Sequence, residues 1–292
     1  MMRWLSYDKV YLKQSSKYKL KIINSLDNNH FTLICGKVIF SSKMQILKPD
    51  HSLEYIQNNP IVITTFYKFC NIPNLELFRD KTRAFCQKNE ILGTILLGIE
   101  GINATVSGSR QAIDTLYAYF NQHECFNGIL FKESYFKEKP FGKLKVKIRK
   151  EIVSIHDECS YNPGEYISPE EWDSFIKRKD IVLVDTRNDF EYHIGTFKGA
   201  INPETTSFYE FREWCEKNIP NKETPVAGFC TGGIRCEKST SWLKKQGYKN
   251  VYHLEGGILG YFIKTQNKNK MWKGDCFVFD DRVIVDNNCE AK

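Results

Sequence analysis

From Ile61 onward, the hydrophobic and polar positions repeat at the intervals of regular secondary structure. The β-branched and aromatic run IVITTFYKF favours a strand, and NLELFRDKTRAFCQKN has apolar residues at helical spacing. ILGTILLGIEGINATVSGS then predicts two strands around a Gly-Ile-Glu-Gly turn. RQAIDTLYAYFNQH predicts a second helix, and GILFKESYF a further strand. The order β-α-β-β-α-β predicts an α+β domain of the ferredoxin-like, split βαβ kind.

The next segment, KLKVKIRKEIVSI (residues 143–155), alternates between basic and apolar residues from Lys143 to Arg149. This spacing predicts a strand with one cationic side. Its basic positions are Lys143, Lys145, Lys147 and Arg149, and its apolar positions are Leu144, Val146 and Ile148.

The second half of the chain predicts an α/β domain with a parallel sheet. After a break at Pro163 and Gly164, Ser168 with Pro169 and Glu171 marks a helix start. The short apolar strands in DIVLVDTR, VAGFC and NVYHLEGG are separated by helical stretches. In such sheets the site lies beyond the carboxyl ends of the strands, where Asp185 and Cys230 fall.

These patterns divide the chain into a ferredoxin-like domain over residues 59–150 and a second domain over residues 151–285, followed by a tail, 286–292. Residues 1–58 form an N-terminal extension of uncertain fold, in which FTLICGKVIF predicts one strand.

Composition and charge narrow the class of protein. A hydrophobic fraction of 41% is that of a globular chain. With no long apolar run and no signal peptide, we expect a cytoplasmic protein without a membrane partner. Residues 1–150 hold 23 Lys and Arg against 12 Asp and Glu, and residues 151–292 hold 19 against 23. The basic half is therefore the candidate for binding a polyanion.

The ten cysteines do not indicate a disulfide framework or a zinc site, because their spacing is irregular and no CxxC pair occurs. Most are expected to be small buried hydrophobes. The histidines show no 2-His-1-carboxylate pattern, and the sequence contains neither a dinucleotide GxGxxG nor a haem motif. No cofactor or metal is identifiable from these residues.

The stretch VAGFCTGGIRCEKS carries the candidate chemistry. Cys230 follows an apolar strand, and a helix is expected from Glu237. Loop amides at the positive end of that helix, together with Arg235, would stabilise a thiolate on Cys230. Gly232 and Gly233 permit the turns that this requires. The alternative is a buried cysteine beside a glycine-rich turn.

The spacing between Cys230 and Arg235 indicates the size of the group that the loop can bind. Cysteine phosphatases place five residues between the two, whereas here four intervene: Thr231, Gly232, Gly233 and Ile234. The shorter ring suits a smaller guest than phosphate, such as a second sulfur held as a persulfide.

This loop, with VDTRNDFEYHIGTFKGAINP before it, resembles the rhodanese family. The resemblance implies that Cys230 is the persulfide-forming cysteine and that Asp185 and Arg187 order the loop. Asp185 at a strand end also suits an Asx turn.

A narrower resemblance rests on an ordered set of motifs between Ile61 and Val285. GTILLGIEGINATVSGS, KLKVKIRKEIV, GEYISPEEWD, FCTGGIRCEKST, YHLEGGILGY and GDCFVFDDRV together resemble the rhodanese-domain tRNA uridine 5-hydroxylases. The resemblance implies oxygen-dependent 5-hydroxylation of the wobble uridine of tRNA, with molecular oxygen as co-substrate and the rhodanese cysteine required. The basic domain would then be the tRNA clamp.

Several residues keep two interpretations. Cys236 is either a resolving thiol or a packed helix residue, and His253 either closes a strand end or acts as a base. Glu237 and Lys238 are candidates to shape the loop mouth. Phe136 and Phe141, among Lys137 and Lys139, either stack an unpaired base or belong to the core.

Two rival functions remain at this point. A plain sulfurtransferase would carry sulfane sulfur as a persulfide on Cys230, but a small donor needs no basic strand. A non-catalytic RNA-binding protein would not need the intact Cys230.

Overall fold

The structure is a computed structural model that describes residues 10–15, 18–24, 30–35, 38–43, 45–157, 160–266 and 271–292, with side chains from residue 45 onward. Within these ranges no helix is long and apolar enough to cross a membrane. The cysteines whose side chains are described are all free thiols.

The N-terminal segment contains a four-stranded antiparallel sheet in the order β1-β2-β3-β4. Its strands are β1 (Val10–Ser15), β2 (Tyr18–Asn24), β3 (His30–Cys35) and β4 (Val38–Lys43). The prediction of one strand over Phe31–Phe40 is wrong, because the run contains most of β3 and the beginning of β4. Gly36 interrupts the apolar run, and glycine weakens a strand; residues 36–37 lie outside the described part.

The ferredoxin-like fold predicted for the basic half is confirmed. The six-stranded sheet has the order β10-β7-β8-β6-β9-β5, and its four central strands are antiparallel. Helices α2 and α3 cover one face, where Val62, Phe66 and Ile95 pack against Ile113 and Phe120. The elements are β5 (Gln45–Leu47), α1 (Leu53–Asn58), β6 (Ile61–Phe69), α2 (Leu75–Lys88), β7 (Leu92–Gly98), β8 (Gly101–Ser109), α3 (Arg110–Asn121), β9 (Leu130–Phe136) and β10 (Leu144–Ile148).

Two edge strands flank these four central strands, and the sequence predicted only one of them, β10. β5 pairs parallel with β9, and β10 pairs parallel with β7. The strand expected over residues 143–155 is shorter, because the chain turns after Ile148. The Glu151 carboxylate accepts hydrogen bonds from the amides of Ile155 and His156 and so stabilises the turn.

The second half forms the expected parallel sheet, in the order β11-β15-β14-β12. The predicted cap is present, since Ser168 Oγ accepts from the Glu171 amide at 3.3 Å. The elements are β11 (Glu165–Ile167), α4 (Pro169–Phe175), β12 (Val182–Asp185), α5 (Asp189–Ile194), β13 (Gly195–Phe197), α6 (Phe211–Asn218), β14 (Val226–Phe229), α7 (Ile234–Lys245), β15 (Val251–Leu254), α8 (Gly257–Thr265), β16 (Trp272–Gly274), β17 (Cys276–Phe277) and β18 (Ile284–Val285).

The uncovered face of the six-stranded sheet lies against the carboxyl end of the parallel sheet. Tyr67 Oη on β6 donates to Glu237 on α7 at 2.8 Å. Asn103 Nδ2 donates to the Ile152 carbonyl at 3.0 Å. Arg282, from the C-terminal segment, reaches back to Ser134 on β9 at 2.8 Å. The loop after β14 is thereby enclosed between the two domains.

Candidate active site

Cys230 lies at the carboxyl end of β14, in the centre of this domain interface. It is 1% exposed, and its Sγ accepts a hydrogen bond from the Gly233 amide at 3.1 Å. Gly233, with φ +102°, is the N-cap of α7. The helix therefore starts at Ile234 rather than at Glu237 as predicted. Arg235 and Cys236 therefore belong to the first helical turn, where the backbone amides point towards the sulfur.

The surroundings of Cys230 favour its thiolate. Burial alone would raise the pKa of this thiol. The hydrogen bond from Cys236, the charge of Arg235 and the amides of Cys236 and Gly233 outweigh burial and lower the pKa to about 6. At neutral pH the site therefore holds a nucleophilic thiolate.

A second glycine turn, formed by Gly256 and Gly257, packs against the cysteine loop. It was not among the residues predicted from the sequence. The amides of Ile258 and Leu259 donate to the carbonyls of Cys230 and Thr231 at 2.9 and 3.1 Å. A Cβ on Gly257, whose φ is +67°, would lie 2.5 Å from the Cys230 carbonyl oxygen. The sequence signal that could have identified this turn was the Gly-Gly pair after β15, which lies at the same sheet edge as Cys230.

Arg235 lies beside the loop, but a carboxylate fixes its guanidinium. Its two terminal nitrogens donate to Glu191 at 2.7 Å each. Glu191 also accepts from the Asn188 amide at 3.1 Å and from Thr231 Oγ1 at 3.4 Å. Burial would raise the pKa of Glu191, but Arg235 and Arg187 lower it. Glu191 is thus a site residue that was not predicted from the sequence. Its place within VDTRNDFEYHIGTFKGAINP was the signal that could have identified it.

Asp185 and Arg187 form a fully buried pair behind the loop. Arg187 donates to Asp185 through Nε at 2.9 Å and through a terminal nitrogen at 2.7 Å, and also to the Gly195 carbonyl. Thr196 Oγ1 donates to Asp185 at 2.9 Å. The two side chains contact each other rather than the cavity described below. They suit a role in ordering the strand ends.

Cys236 is buried against Cys230. Its Sγ is 3.4 Å from Thr186 Oγ1. Burial and the hydrogen bond to the Cys230 thiolate raise the pKa of Cys236 well above its ordinary value, so it remains a neutral donor. Cys236 is thus packed in the helix, and its thiol also contacts the Cys230 sulfur, so a resolving role stays a prediction.

The cysteine loop forms one wall of a cavity of about 650 Å³ between the domains. This size is typical of small-ligand sites. The opposite wall is the uncovered sheet face, with Thr65, Tyr67, Thr94, Leu96, Thr105 and Lys132. The C-terminal segment closes one side with Phe279 and Arg282. Lys132 was not among the residues selected from the sequence.

The basic strand lies at the edge of this same sheet face. Lys145 and Lys147 are exposed and stand in register with Thr94 and Leu96 of β7, both of which line the cavity. Neighbours across a ladder point to the same side of the sheet. The lysines therefore continue the cavity face outward. Lys143 and Arg149 flank them and are also exposed.

The remaining candidates occupy supporting positions. Glu237 accepts from Tyr67 and, at 2.7 Å, from Tyr161, and Lys238 pairs with Glu100 and Glu151. Burial lowers the pKa of His253 to about 4, so its ring is unprotonated at neutral pH. The ring makes an edge-on contact with Tyr166, with the centroids 4.2 Å apart. Phe136 and Phe141 are half-buried.

Comparison with known proteins gives two matches in the expected order. The UPF0176 acylphosphatase-like domain matches residues 61–152, and the rhodanese-like domain matches residues 168–264. The tRNA uridine(34) hydroxylase of Wolbachia pipientis wMel is 47% identical over 230 residues, which cover 78% of this chain and 83% of that protein. The chain belongs to the tRNA uridine(34) hydroxylase family.

A second member of this hydroxylase family, from the Culex pipiens strain of Wolbachia, is 46% identical and covers 78% of this chain and 82% of its own. Among solved structures, a rhodanese-like domain from Anabaena shares 16% identity over 39% of this chain and 80% of its own, with a TM-score of 0.31. The predicted family is confirmed, and the two Wolbachia hydroxylases support an enzyme of the hydroxylase class rather than the sulfurtransferase alternative. Among the described residues, no group of three or more His, Cys, Asp or Glu is placed to hold a metal ion.

Proposed function

We propose that this protein hydroxylates carbon 5 of uridine 34 in tRNA, in an oxygen-dependent reaction that requires the Cys230 thiolate. The observation that carries the proposal is the position of Cys230, buried in a cavity between the two domains with its pKa lowered to about 6. The names of the relatives supply the substrate and the reaction class.

The roles of the residues follow from what each contacts. The amides of Gly233 and the first turn of α7 stabilise negative charge on the Cys230 sulfur, or on a second sulfur atom carried by it. Arg235 adds a positive charge, and its two hydrogen bonds to Glu191 fix the orientation of the guanidinium. Cys236 donates to the thiolate, and the Asp185–Arg187 pair holds the strand ends on which the loop is built.

The basic edge strand is the proposed tRNA clamp. Lys143, Lys145, Lys147 and Arg149 lie where an RNA backbone could run while one base enters the cavity. Phosphate contacts supply most of the affinity for RNA, and an unstacked base supplies the reacting group. Molecular oxygen is the proposed co-substrate, and the cytoplasm, where tRNA resides, is the proposed compartment.

The test replaces Cys230 with Ser and measures 5-hydroxyuridine in tRNA by nucleoside mass spectrometry. Serine keeps the shape but removes the acidic, polarizable sulfur, so we expect product formation to fall by about a hundredfold or more. Cys215→Ser is the matched control, because Cys215 is also buried but lies in α6, in a separate hydrophobic cluster. Normal hydroxylation by folded Cys230→Ser protein would contradict the proposal.

A further inference from the structure

Lys132 is a buried lysine on the wall of the cavity opposite Cys230. It lies on β9 in register with Thr65 of β6, on the sheet face that meets the cysteine loop. It is 4% exposed, and its Nζ lies 5.1 Å from the centre of the Tyr67 ring. That ring presses on the loop, since a Cβ on Gly233 would be 2.7 Å from Tyr67 Oη. The ammonium is therefore held beside the reactive sulfur.

No carboxylate within the described ranges forms an ion pair with Lys132. Glu237, the nearest candidate, already accepts from Tyr67 and Tyr161. Glu133, next in the chain, lies on the opposite face and binds Arg110 at 2.8 Å. A buried ammonium is costly when its N–H groups lack acceptors, and the Tyr67 ring supplies none. The position of Lys132 on the cavity wall therefore points to a guest that completes its hydrogen bonds.

Another buried lysine shows the ordinary arrangement. Lys238 is also 4% exposed, but it is paired with Glu100 and with Glu151. The two lysines are matched in burial and differ in their partners. Lys238 serves the domain interface, whereas Lys132 offers its donors to the cavity.

We propose that Lys132 binds the carbonyl oxygen on carbon 4 of the substrate uracil and thereby selects uridine over cytidine. The inference rests on the proposed function, and it names the group that recognises the base. An ammonium has three donors and no acceptor, so it complements the carbonyl of uracil but not the amino group that cytosine carries at the same position. A site built for one hydrogen bond rejects an analogue that cannot form it.

The same contact would favour reaction at carbon 5. If the Cys230 thiolate adds to carbon 6, a carbon–sulfur bond forms and the carbon 5–carbon 6 π bond breaks. Its electron pair then lies on carbon 5 and, by delocalisation, on the carbonyl oxygen of carbon 4. A fixed positive charge on the wall of a cavity between two domains stabilises such charge. Lys132 would therefore contribute to the rate as well as to the choice of base.

The charge state of Lys132 is suited to this role at neutral pH. Burial lowers its pKa to about 8, while the negative charges of Glu237 and Cys230 oppose the shift. The other charged residues that line the cavity each have a partner. Asp280 and Arg282 pair with each other at 2.7 Å, Glu133 pairs with Arg110, and Arg235 pairs with Glu191. Lys132 is charged below pH 8 and neutral above it, so hydroxylation should decline as pH rises through about 8.

The experiment compares Lys132→Met, Lys132→Arg and the control Lys238→Met. Methionine keeps the length of the side chain and removes the charge. We expect Lys132→Met to lower kcat for 5-hydroxyuridine formation by about a hundredfold and to abolish the alkaline decline. Its melting temperature should rise, because an unpaired buried charge is removed. Lys238→Met should melt at a lower temperature, because two carboxylates lose their partner.

Base selection gives an independent readout. With an anticodon stem-loop carrying cytidine in place of uridine 34, competition against the normal substrate should be weak for the wild type and about tenfold stronger for Lys132→Met. Lys132→Arg, which keeps the charge, should preserve the selection.

The outcomes separate the two proposals. If the wild type forms no 5-hydroxyuridine, the proposed function fails. If the wild type is active and Lys132→Met matches it in kcat, alkaline limb and base selection, the inference about Lys132 alone is overturned. A Lys132→Met protein that melts lower than the wild type would also overturn it, because Lys132 would then be a structural residue with a partner.

Discussion

The pKa values of Cys230 and Cys236, six positions apart, are shifted in opposite directions, and contact between the two side chains is one cause. Cys230 accepts hydrogen bonds at the start of α7 and carries the negative charge, whereas Cys236 donates to it and stays neutral. Both are buried, so burial alone does not distinguish them. Their surroundings do: the amides of Gly233 and Cys236 and the charge of Arg235 favour the Cys230 thiolate, whereas the negative Cys230 sulfur opposes a charge on Cys236.

The contact predicts an effect of Cys236→Ala on the pH profile of hydroxylation. Loss of the donor should raise the pKa of Cys230, so the acidic limb of kcat should move upward by about one pH unit. The rate near pH 6 should fall, and the rate near pH 8 should remain close to that of the wild type. Nucleoside mass spectrometry over a pH series measures both.

Cys236→Ser is the control, because its hydroxyl retains a donor and should keep the limb near its wild-type position. If Cys236→Ala is inactive at every pH, Cys236 is a resolving thiol, and the donor role would be rejected.

At the scale of elements, the site depends on two glycine turns that interlock at one sheet edge. The first turn of α8 donates two backbone hydrogen bonds to the loop after β14, from the Ile258 amide to the Cys230 carbonyl and from the Leu259 amide to the Thr231 carbonyl. The space between the two backbones leaves no room for a side chain at Gly257. The position of the Cys230 carbonyl is therefore set by a residue 27 places later in the chain.

Gly257→Ala should displace the cysteine loop. We expect a loss of about 2 kcal/mol in the free energy of unfolding and a large fall in hydroxylation, because the methyl group collides with backbone at a positive φ. Gly199→Ala is matched in backbone conformation, with φ +84°, but its Cβ would meet nothing within 4 Å. It should cost about 1 kcal/mol and leave activity intact. Equal activities in the two variants would show that the interlock does not position Cys230.

At the scale of the whole molecule, the ferredoxin-like domain gives its two sheet faces different tasks. One face packs against α2 and α3 in the core, and the other forms the cavity wall and continues outward to Lys145 and Lys147. A substrate phosphate on the edge strand would thus lie on the same surface as a base in the cavity.

This arrangement predicts that Lys145→Gln with Lys147→Gln weakens tRNA binding. Each lost phosphate contact should reduce the slope of log affinity against log salt by about one unit. The control is Lys81→Gln with Lys88→Gln, which removes equal charge from exposed positions on α2, on the other side of the sheet. Filter binding over a salt series measures the slopes. Equal slopes in the two double variants would place the RNA elsewhere.

Much of the fold was predictable because local patterns and tertiary contacts agree. β6 has the predicted bounds, and β7, β8 and α3 lie where periodicity placed them, since each buries one apolar face. The cysteine loop was predictable for a related reason. A cysteine between a buried strand and a helix, followed by glycines and an arginine, specifies an anion site within a few consecutive residues.

Partners distant in sequence were not predictable in this way. Periodicity does not show that Glu191 holds Arg235, that Gly257 supports Cys230, or that Lys132 faces the sulfur, because a pattern reports which face is buried and not what covers it. Lys132 illustrates the difference: its place on β9 follows from alternation, but the wall opposite it belongs to the other domain. The sequence by itself determined the two domains, the family and the choice of Cys230 as the proposed catalytic cysteine, because these depend on neighbouring residues. The tertiary structure decided the cavity and the side chains that enter it, because these depend on how two separately folded sheets meet.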